Sequence, residues 1–109
     1  MKSTLLFLSV FLSANLFGQN VYIPDASFKA CLVGNPNINT NGDTEIQVTE
    51  ASSYDGAIED CYNLTPQISD LTGIEAFTAL TILDISYNNL TSLDVSACVA
   101  LERLTCWLN

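Results

Sequence analysis

The chain has 109 residues, which is enough for one domain. It carries 3 basic and 12 acidic residues, a formal net charge of -9, and no histidine. This balance argues against nucleic acid and anionic membrane surfaces as partners, because an acidic chain repels phosphate groups. Without histidine the chain lacks the most common general base and zinc ligand, so the sequence favours a binding role over catalysis.

The first segment, MKSTLLFLSVFLSANLFG, has the features of a secretory signal peptide. Lys2 precedes an apolar run that ends at Phe17, and we expect cleavage after Gly18. The run is shorter than the roughly 20 apolar residues that span a membrane. We therefore predict a secreted or cell-surface protein whose mature chain does not enter a membrane. Cleavage removes Lys2 and changes the formal charge from -9 to -10.

Residues 19–56 are predicted to form an N-terminal cap that contains one helix. Asp25 favours the helix start, because its carboxylate can accept a free backbone N–H of the first turn. Phe28 and Leu32 fall on one helix face, which is expected to cover the N-terminal end of the structure formed by residues 57–109. Gly34 is expected to end the helix in the left-handed conformation.

Within this cap, the stretch NTNGDTEIQVTE at 39–50 has the spacing of an EF-hand calcium loop. A hard cation takes six to eight oxygen ligands, which such a loop supplies from positions 1, 3, 5, 7, 9 and 12. The residues at those positions are Asn39, Asn41, Asp43, Glu45 through its backbone carbonyl, Gln47 and Glu50. The sequence therefore predicts a structural calcium site.

Two residues depart from this pattern. Asn39 replaces the usual first Asp, and Thr44 stands where glycine makes the sharp bend. With two ionised side-chain ligands, Asp43 and Glu50, the loop is expected to bind weakly, with a dissociation constant of about 0.1 to 1 mM. The alternative interpretation is a plain surface turn that leads into a strand at 46–48.

In residues 57–109 one sequence pattern recurs after 21 residues, in the stretches LTILDISYNNLTSLDVSACVA and LERLTCWLN. The matching pairs are Leu80 with Leu101, Leu83 with Leu104, Ile85 with Cys106, and Asn88 with Asn109. The pattern LxxLxIxxNxL is the leucine-rich repeat signature. It predicts an α/β solenoid of 21-residue units, incomplete at its C-terminus, behind the helical cap. The apolar positions Leu80, Leu83, Ile85 and Leu90 are expected to point inward, and the Asn88 amide to bind the backbone.

Four cysteines in an exported chain allow three disulfide pairings. Cys61 and Cys106 fall at positions predicted to be inside strands, where a free Cys packs as a small hydrophobe. We therefore expect thiols at these two positions and leave Cys31 and Cys98 open.

The segments IPDASFKACLVGN, INTNGDTEIQVTEA and ISDLTGIEAFTALTILDISYNNLTSLDVS resemble the N-terminal region of exported, internalin-like leucine-rich repeat proteins of the Bacteroidetes type. The resemblance covers almost the whole predicted mature chain. It implies a cap followed by a solenoid, binding at or outside the cell surface, and it favours calcium in the loop at 39–50.

We accordingly predict a non-enzymatic binding or adhesion module with a protein or glycan partner. The predicted ligand-binding residues flank the inward positions of two strands and are Ile82, Asp84, Ser86, Arg103, Thr105 and Trp107, since Arg and aromatic residues dominate interfaces. They can equally be the solvent face of a sheet. Alternative functions are a non-catalytic module of a longer secreted hydrolase and a calcium-stapled scaffold.

Overall fold

The computed structural model describes residues 19–109, so the predicted signal peptide at 1–18 lies outside the described residues. The elements in chain order are helix α1 (Ala26–Val33), helix α2 (Val48–Ser53), strand β1 (Ala57–Ile58), a 3-10 helix (Ile74–Ala76), strand β2 (Ile82–Asp84) and strand β3 (Arg103–Thr105). The strands form one sheet in the order β1-β2-β3, and both pairings are parallel.

The start of α1 is as predicted. The Asp25 carboxylate accepts a hydrogen bond from the backbone N–H of Phe28 at 3.0 Å, and Phe28 and Leu32 are fully buried. The predicted end is wrong in its conformation, because Gly34 has a right-handed φ of -73°. Its N–H still donates to the carbonyl of Ala30, so the helical hydrogen bonding runs one residue further than the pattern indicated.

Helix α2 replaces the strand that the surface-turn interpretation placed at 46–48. Gln47 precedes the helix, and its backbone N–H donates to Oε1 of Glu50 at 2.9 Å, which is the second half of a capping box. A single antiparallel bridge joins Gln47 to Asn20. The polar stretch at 39–50 therefore runs directly into the first turn of a helix.

The predicted leucine-rich repeat solenoid is wrong. Residues 19–109 form two helices and a three-stranded parallel sheet, and no repeat solenoid is evident among them. Ala57 pairs with Ile82 across a spacing of 25 residues, whereas Ile82 pairs with Arg103 across 21. The connection between β1 and β2 contains the 3-10 helix, and the connection between β2 and β3 contains only turns.

The physical reason is that a solenoid stacks one kind of unit on copies of itself. Here the two connections have different lengths and different local structures. The apolar spacing recurs once, and one pair of parallel strands, in which Leu83 lies beside Leu104, is enough to explain it. The recurrence thus identified two adjacent strands correctly but did not establish a repeating architecture.

The hydrophobic core combines residues from both halves of the described chain. Phe28 and Ile46 of the N-terminal half belong to the same buried cluster as Ile58, Phe77 and Leu83. The four apolar positions predicted to face inward are buried, which confirms that part of the pattern: Leu80, Leu83, Ile85 and Leu90.

Asn88 binds the backbone as predicted. Its Nδ2 donates to the carbonyls of Cys61 at 2.9 Å, Ile85 at 3.0 Å and Ser86 at 3.3 Å, and its Oδ1 accepts from the N–H of Ile68 at 2.9 Å. The side chain is buried, so these bonds satisfy groups that water does not reach. The amide ties together the chain segments that follow β1 and β2.

The cysteines differ from expectation. Cys31 and Cys61 form a disulfide with Cα atoms 5.7 Å apart, so the predicted thiol at Cys61 is wrong. The pairing depends on tertiary packing, because α1 brings Cys31 next to a residue 30 positions away. Cys106 is a free thiol but is exposed, and Cys98 is a buried free thiol.

None of the helices in the described part of the chain is long and apolar enough to cross a membrane.

Candidate cation site and binding face

Asn39 begins the candidate cation loop and is buried, with 6% of its surface exposed. Its Nδ2 donates to the backbone carbonyls of Val33 at 3.0 Å and Asp43 at 2.7 Å. Its Oδ1 is the one buried side-chain polar atom within residues 19–109 that has no hydrogen-bond partner. We call this atom the open oxygen of Asn39.

The orientation of the Asn39 amide is determined by its surroundings. If the amide were flipped, its oxygen would face the two carbonyl oxygens that now accept from Nδ2. The open oxygen therefore cannot gain a partner by rotation of the side chain. A buried acceptor in this condition costs about 1–3 kcal/mol.

Asn41, Asp43 and Gln47 form a network beside Asn39. The Asp43 carboxylate accepts from the backbone N–H of Glu45 at 3.1 Å, from Gln47 Nε2 at 2.9 Å and from Asn41 Nδ2 at 3.2 Å. The N–H of Glu45, together with the two side-chain amides, outweighs desolvation and holds the pKa of Asp43 below its ordinary value. Asp43 is therefore ionised at neutral pH.

Glu50 closes the loop, but it does so by binding backbone groups. Its Oε2 accepts from the N–H of Thr40 at 2.8 Å, from the Thr40 hydroxyl at 3.1 Å and from the N–H of Asn41 at 3.3 Å. Its Oε1 accepts from Gln47 N–H. The carboxylate thus stabilises both the loop and the start of α2.

The Glu45 side chain lies away from this network. Its carboxylate binds Lys29 Nζ at 2.6 and 2.8 Å and links the loop to α1. Only its backbone carbonyl was predicted as a ligand, so this ion pair is compatible with that role.

The sharp bend of the loop is made at Gly42, with a φ of 72°. Thr44 is not among the described residues with positive φ, so it carries no left-handed strain. The bend lies two residues earlier than in the EF-hand pattern, and the loop has a different backbone course as a result.

Hydrogen bonds thus link the side chains of Asn41, Asp43 and Gln47 to one another. The side chains of Asn39 and Glu50 bind the backbone of the same loop. Among residues 19–109, no three His, Cys, Asp or Glu side chains lie together in an arrangement that would hold a metal ion. Any cation must use amide oxygens as well as carboxylates, which suits calcium better than zinc. The open oxygen of Asn39 and the ionised Asp43 fit such a ligand set.

The six predicted ligand-binding residues lie on β2, β3 and the turns after them. Ile82 pairs with Arg103, and Asp84 pairs with Thr105, so these four share one face of the sheet. Arg103 is exposed and its guanidinium lies 3.4 Å from the carboxylate of Glu59, across the sheet. The face thus carries a solvent-accessible ion pair above a half-buried Ile82.

Ser86 and Trp107 differ sharply in exposure. Ser86 is buried, and its hydroxyl accepts from the N–H of Trp107 at 3.1 Å, so it supports the turn. Trp107 is 67% exposed and Leu108, beside it, is 70% exposed. Trp107 is therefore available to a partner, whereas Ser86 is not.

Sequence reasoning missed Thr40 and Glu59. Thr40 lies inside the loop between two predicted ligands, and its hydroxyl signalled a local partner for Glu50. Glu59 lies 44 residues before Arg103 in the sequence, so no local spacing relates the two.

No protein-family model, curated protein or solved structure matches this chain. The resemblance to exported leucine-rich repeat proteins therefore stays a prediction, based on the three sequence segments quoted above.

Proposed function

We propose that the chain is an exported, non-catalytic binding module whose loop at 39–50 holds a structural calcium ion. The observation that carries the calcium proposal is the open oxygen of Asn39. A hard cation offsets the cost of that buried acceptor, because amide oxygens are natural calcium ligands.

The charges around the loop support this proposal. Asp43 is ionised, Glu50 supplies a second carboxylate, and the predicted mature chain has a formal charge of -10, which raises the local concentration of cations. The residues that would hold the ion first are Asn39, Asn41 and Asp43. Glu50 follows, because its Oε2 already accepts three hydrogen bonds in the described structure.

The test is thermal and urea unfolding of residues 19–109 in 10 mM calcium and in chelator. With a dissociation constant of about 0.3 mM, 10 mM calcium should stabilise the folded chain by about 2 kcal/mol. The Asn39→Ala and Asp43→Asn variants should lose this stabilisation, and Glu50→Gln should lose only part of it. Asn89→Ala changes an exposed asparagine outside the loop and is the matched control. An unchanged unfolding midpoint in the unmodified chain would refute the calcium proposal.

The binding role is supported by the sheet face. Arg103 and Trp107 are exposed side chains of the kinds that dominate recognition surfaces, and Leu108 extends the apolar surface beside them. The absence of histidine from the whole sequence supports a role without catalysis. The partner is a protein or a glycan.

Trp107 provides a direct test, because it is the single tryptophan of the chain. A partner that covers the sheet face should shift its fluorescence, and Trp107→Ala should weaken binding by at least about 10-fold. Val99→Ala alters an exposed apolar residue outside the six predicted ligand-binding residues and should leave affinity unchanged. If the two variants behave alike for every partner found, the sheet face is not the binding surface.

A further inference from the structure

A groove of about 660 Å³ lies between the loop at 39–50 and the chain that follows α2. Its walls include Asn37 and Thr40 on the loop side, Glu50 and Ser53 on α2, and Tyr54 and Asp55 beyond it. It is separate from the predicted ligand-binding residues of the sheet, none of which contributes to its walls.

The chemistry of the walls limits what the groove can hold. The walls carry hydroxyl, amide and carboxylate groups among apolar atoms, and the described wall residues include no Lys or Arg. The two carboxylates, Glu50 and Asp55, disfavour phosphates, sulfates and carboxylated ligands by charge repulsion. They accept hydrogen bonds from hydroxyl groups, and the Asn37 amide can both donate and accept.

Tyr54 forms a fixed aromatic wall. Its hydroxyl donates to the carbonyl of Ala57 at 2.6 Å, which sets the position of the ring. A Cβ at position 56 would lie 2.7 Å from that hydroxyl and 2.8 Å from the ring carbon that bears it, so any larger residue at 56 would displace the ring. An aromatic ring held in this way offers apolar contact area at low entropic cost.

Asp55 and Glu50 are also held in place. The carbonyl of Asp55 accepts from the Thr81 hydroxyl at 3.0 Å, so its backbone is attached to the residue before β2. Glu50 is held by Thr40 and by the N-terminus of α2. The groove therefore presents the positioned Glu50 carboxylate, the carboxylate of Asp55 on an anchored backbone, and one positioned aromatic ring. A few polar groups on a largely apolar lining are typical of a small-ligand site.

From these observations we propose that the groove binds an uncharged saccharide. The C–H face of a pyranose ring packs on Tyr54, and its hydroxyl groups donate to Asp55 and Glu50 and bind the amide of Asn37. This binding site is independent of the sheet face. Of the six predicted metal ligands it contains only Glu50, although Thr40 and Thr49 of the same loop also line it.

The experiment is titration of residues 19–109 with neutral hexasaccharides of glucose, mannose and N-acetylglucosamine, followed by heteronuclear NMR. At least one should bind and shift the amide signals of residues 53–56. Asp55→Asn, which keeps the size of the side chain, should weaken binding by about 10-fold or more, since bonds to a charged acceptor are worth roughly 1.5–3 kcal/mol. Glu102→Gln changes an exposed acid outside the groove and should have no effect.

Tyr54→Phe keeps the aromatic ring but removes the hydroxyl group, whose bond to the Ala57 carbonyl sets the position of the ring. It should weaken binding less than Tyr54→Leu does, with folding of both variants checked by their NMR spectra. Each titration is carried out in calcium and again in chelator, so that a failure of the calcium proposal does not remove the saccharide result.

Three outcomes overturn the groove proposal. The first is no binding by any neutral saccharide in either condition. The second is equal or tighter binding of a sulfated saccharide of the same length. The third is binding that Trp107→Ala abolishes and Asp55→Asn leaves unchanged; this outcome places the saccharide on the sheet face and leaves the proposed binding function intact.

Discussion

Each half of the described chain contains a buried asparagine that is bound to backbone carbonyls, and the two differ in what they leave unsatisfied. Asn88, after β2, uses both ends of its amide. Asn39, after α1, donates twice and keeps an open oxygen. All hydrogen-bonding groups of the Asn88 amide are used within the protein, whereas Asn39 keeps one acceptor that a ligand can use.

The largest expected effect on stability is that of replacing Asn88. Asn88→Ala leaves the Cys61 carbonyl and the N–H of Ile68 without a partner, and it removes one of two donors from the carbonyls of Ile85 and Ser86. It should lower the free energy of unfolding by about 3–5 kcal/mol. Asn109 makes the equivalent bonds to Ile85, Cys106 and Trp107 at an exposed position. Asn109→Ala should cost only about 1 kcal/mol, because Cys106 and Trp107 are exposed to water and the Ile85 carbonyl keeps its bond to Asn88. Urea denaturation of both variants measures the difference, and equal costs would show that burial is not the deciding factor.

The second effect tests how strongly the two halves depend on each other. The disulfide from Cys31 to Cys61 joins them and closes a loop defined by a separation of 30 residues. The double variant Cys31→Ser with Cys61→Ser should lose about 3–4 kcal/mol on the chain-entropy estimate. Cys106→Ser replaces an exposed free thiol and serves as the control. A small loss in the double variant would mean that the apolar core alone keeps the halves together.

The third effect tests the open oxygen without any metal. In chelator, Asn39→Ala removes two hydrogen bonds but also removes a buried acceptor with no partner, so its net cost should be about 1–2 kcal/mol, below that of Asn88→Ala. If calcium stabilises the unmodified chain through this residue, 10 mM calcium should raise the cost of Asn39→Ala by about 2 kcal/mol. Unfolding curves of both variants in chelator provide the comparison. A larger cost at Asn39 than at Asn88 would contradict the distinction between the two residues.

The smallest effect concerns Asp25, which also connects the halves. Burial would raise the pKa of this carboxyl, but backbone N–H groups of Phe28, Ser69 and Asp70 outweigh it and lower the pKa below its ordinary value. The ionised form is therefore favoured in the folded state. Its contribution to stability is complete above the ordinary value of 3.8 and is lost as the pH falls through the lower folded pKa.

The corresponding variant is Asp25→Asn, which should cost about 1 kcal/mol at pH 7, because the N–H groups of Phe28, Ser69 and Asp70 bind a charged acceptor more strongly than an amide oxygen. The difference from the unmodified chain should shrink as the pH falls below 3.8. Asp94→Asn alters an exposed carboxylate bonded only to its neighbour Ser96, and it should have less effect on stability at pH 7. Urea unfolding at a series of pH values gives the comparison, and a pH-independent cost at Asp25 would contradict the assignment.

Local chemistry accounts for what could be predicted about the fold. Asp25 begins a helix because a carboxylate there satisfies a free N–H, and that preference acts over three residues. Leu80, Leu83, Ile85 and Leu90 are buried because their apolar spacing matches a strand and the turn after it. The parallel neighbours Leu83 and Leu104 followed from the same recurrence.

The errors arose where distant segments decide the outcome. Cys61 pairs with Cys31 because the tertiary fold brings α1 next to the chain that follows β1, and no local pattern records that approach. The solenoid prediction extended one recurrence into an architecture, although the connections before and after β2 differ in length and structure. Gly34 stays right-handed because the helix continues its hydrogen bonding through that residue.

The same distinction between local sequence and tertiary contacts applies to the candidate cation site. By itself the sequence determined which oxygen-bearing residues occur at 39–50 and that Ile46 among them is apolar, since composition and spacing are properties of one short segment. Only the tertiary structure decided that Val33 orients the Asn39 amide, that Lys29 draws the Glu45 side chain away, and that Glu50 binds Thr40. These contacts depend on how α1 and α2 pack against the loop, and packing of this kind is determined by the whole core.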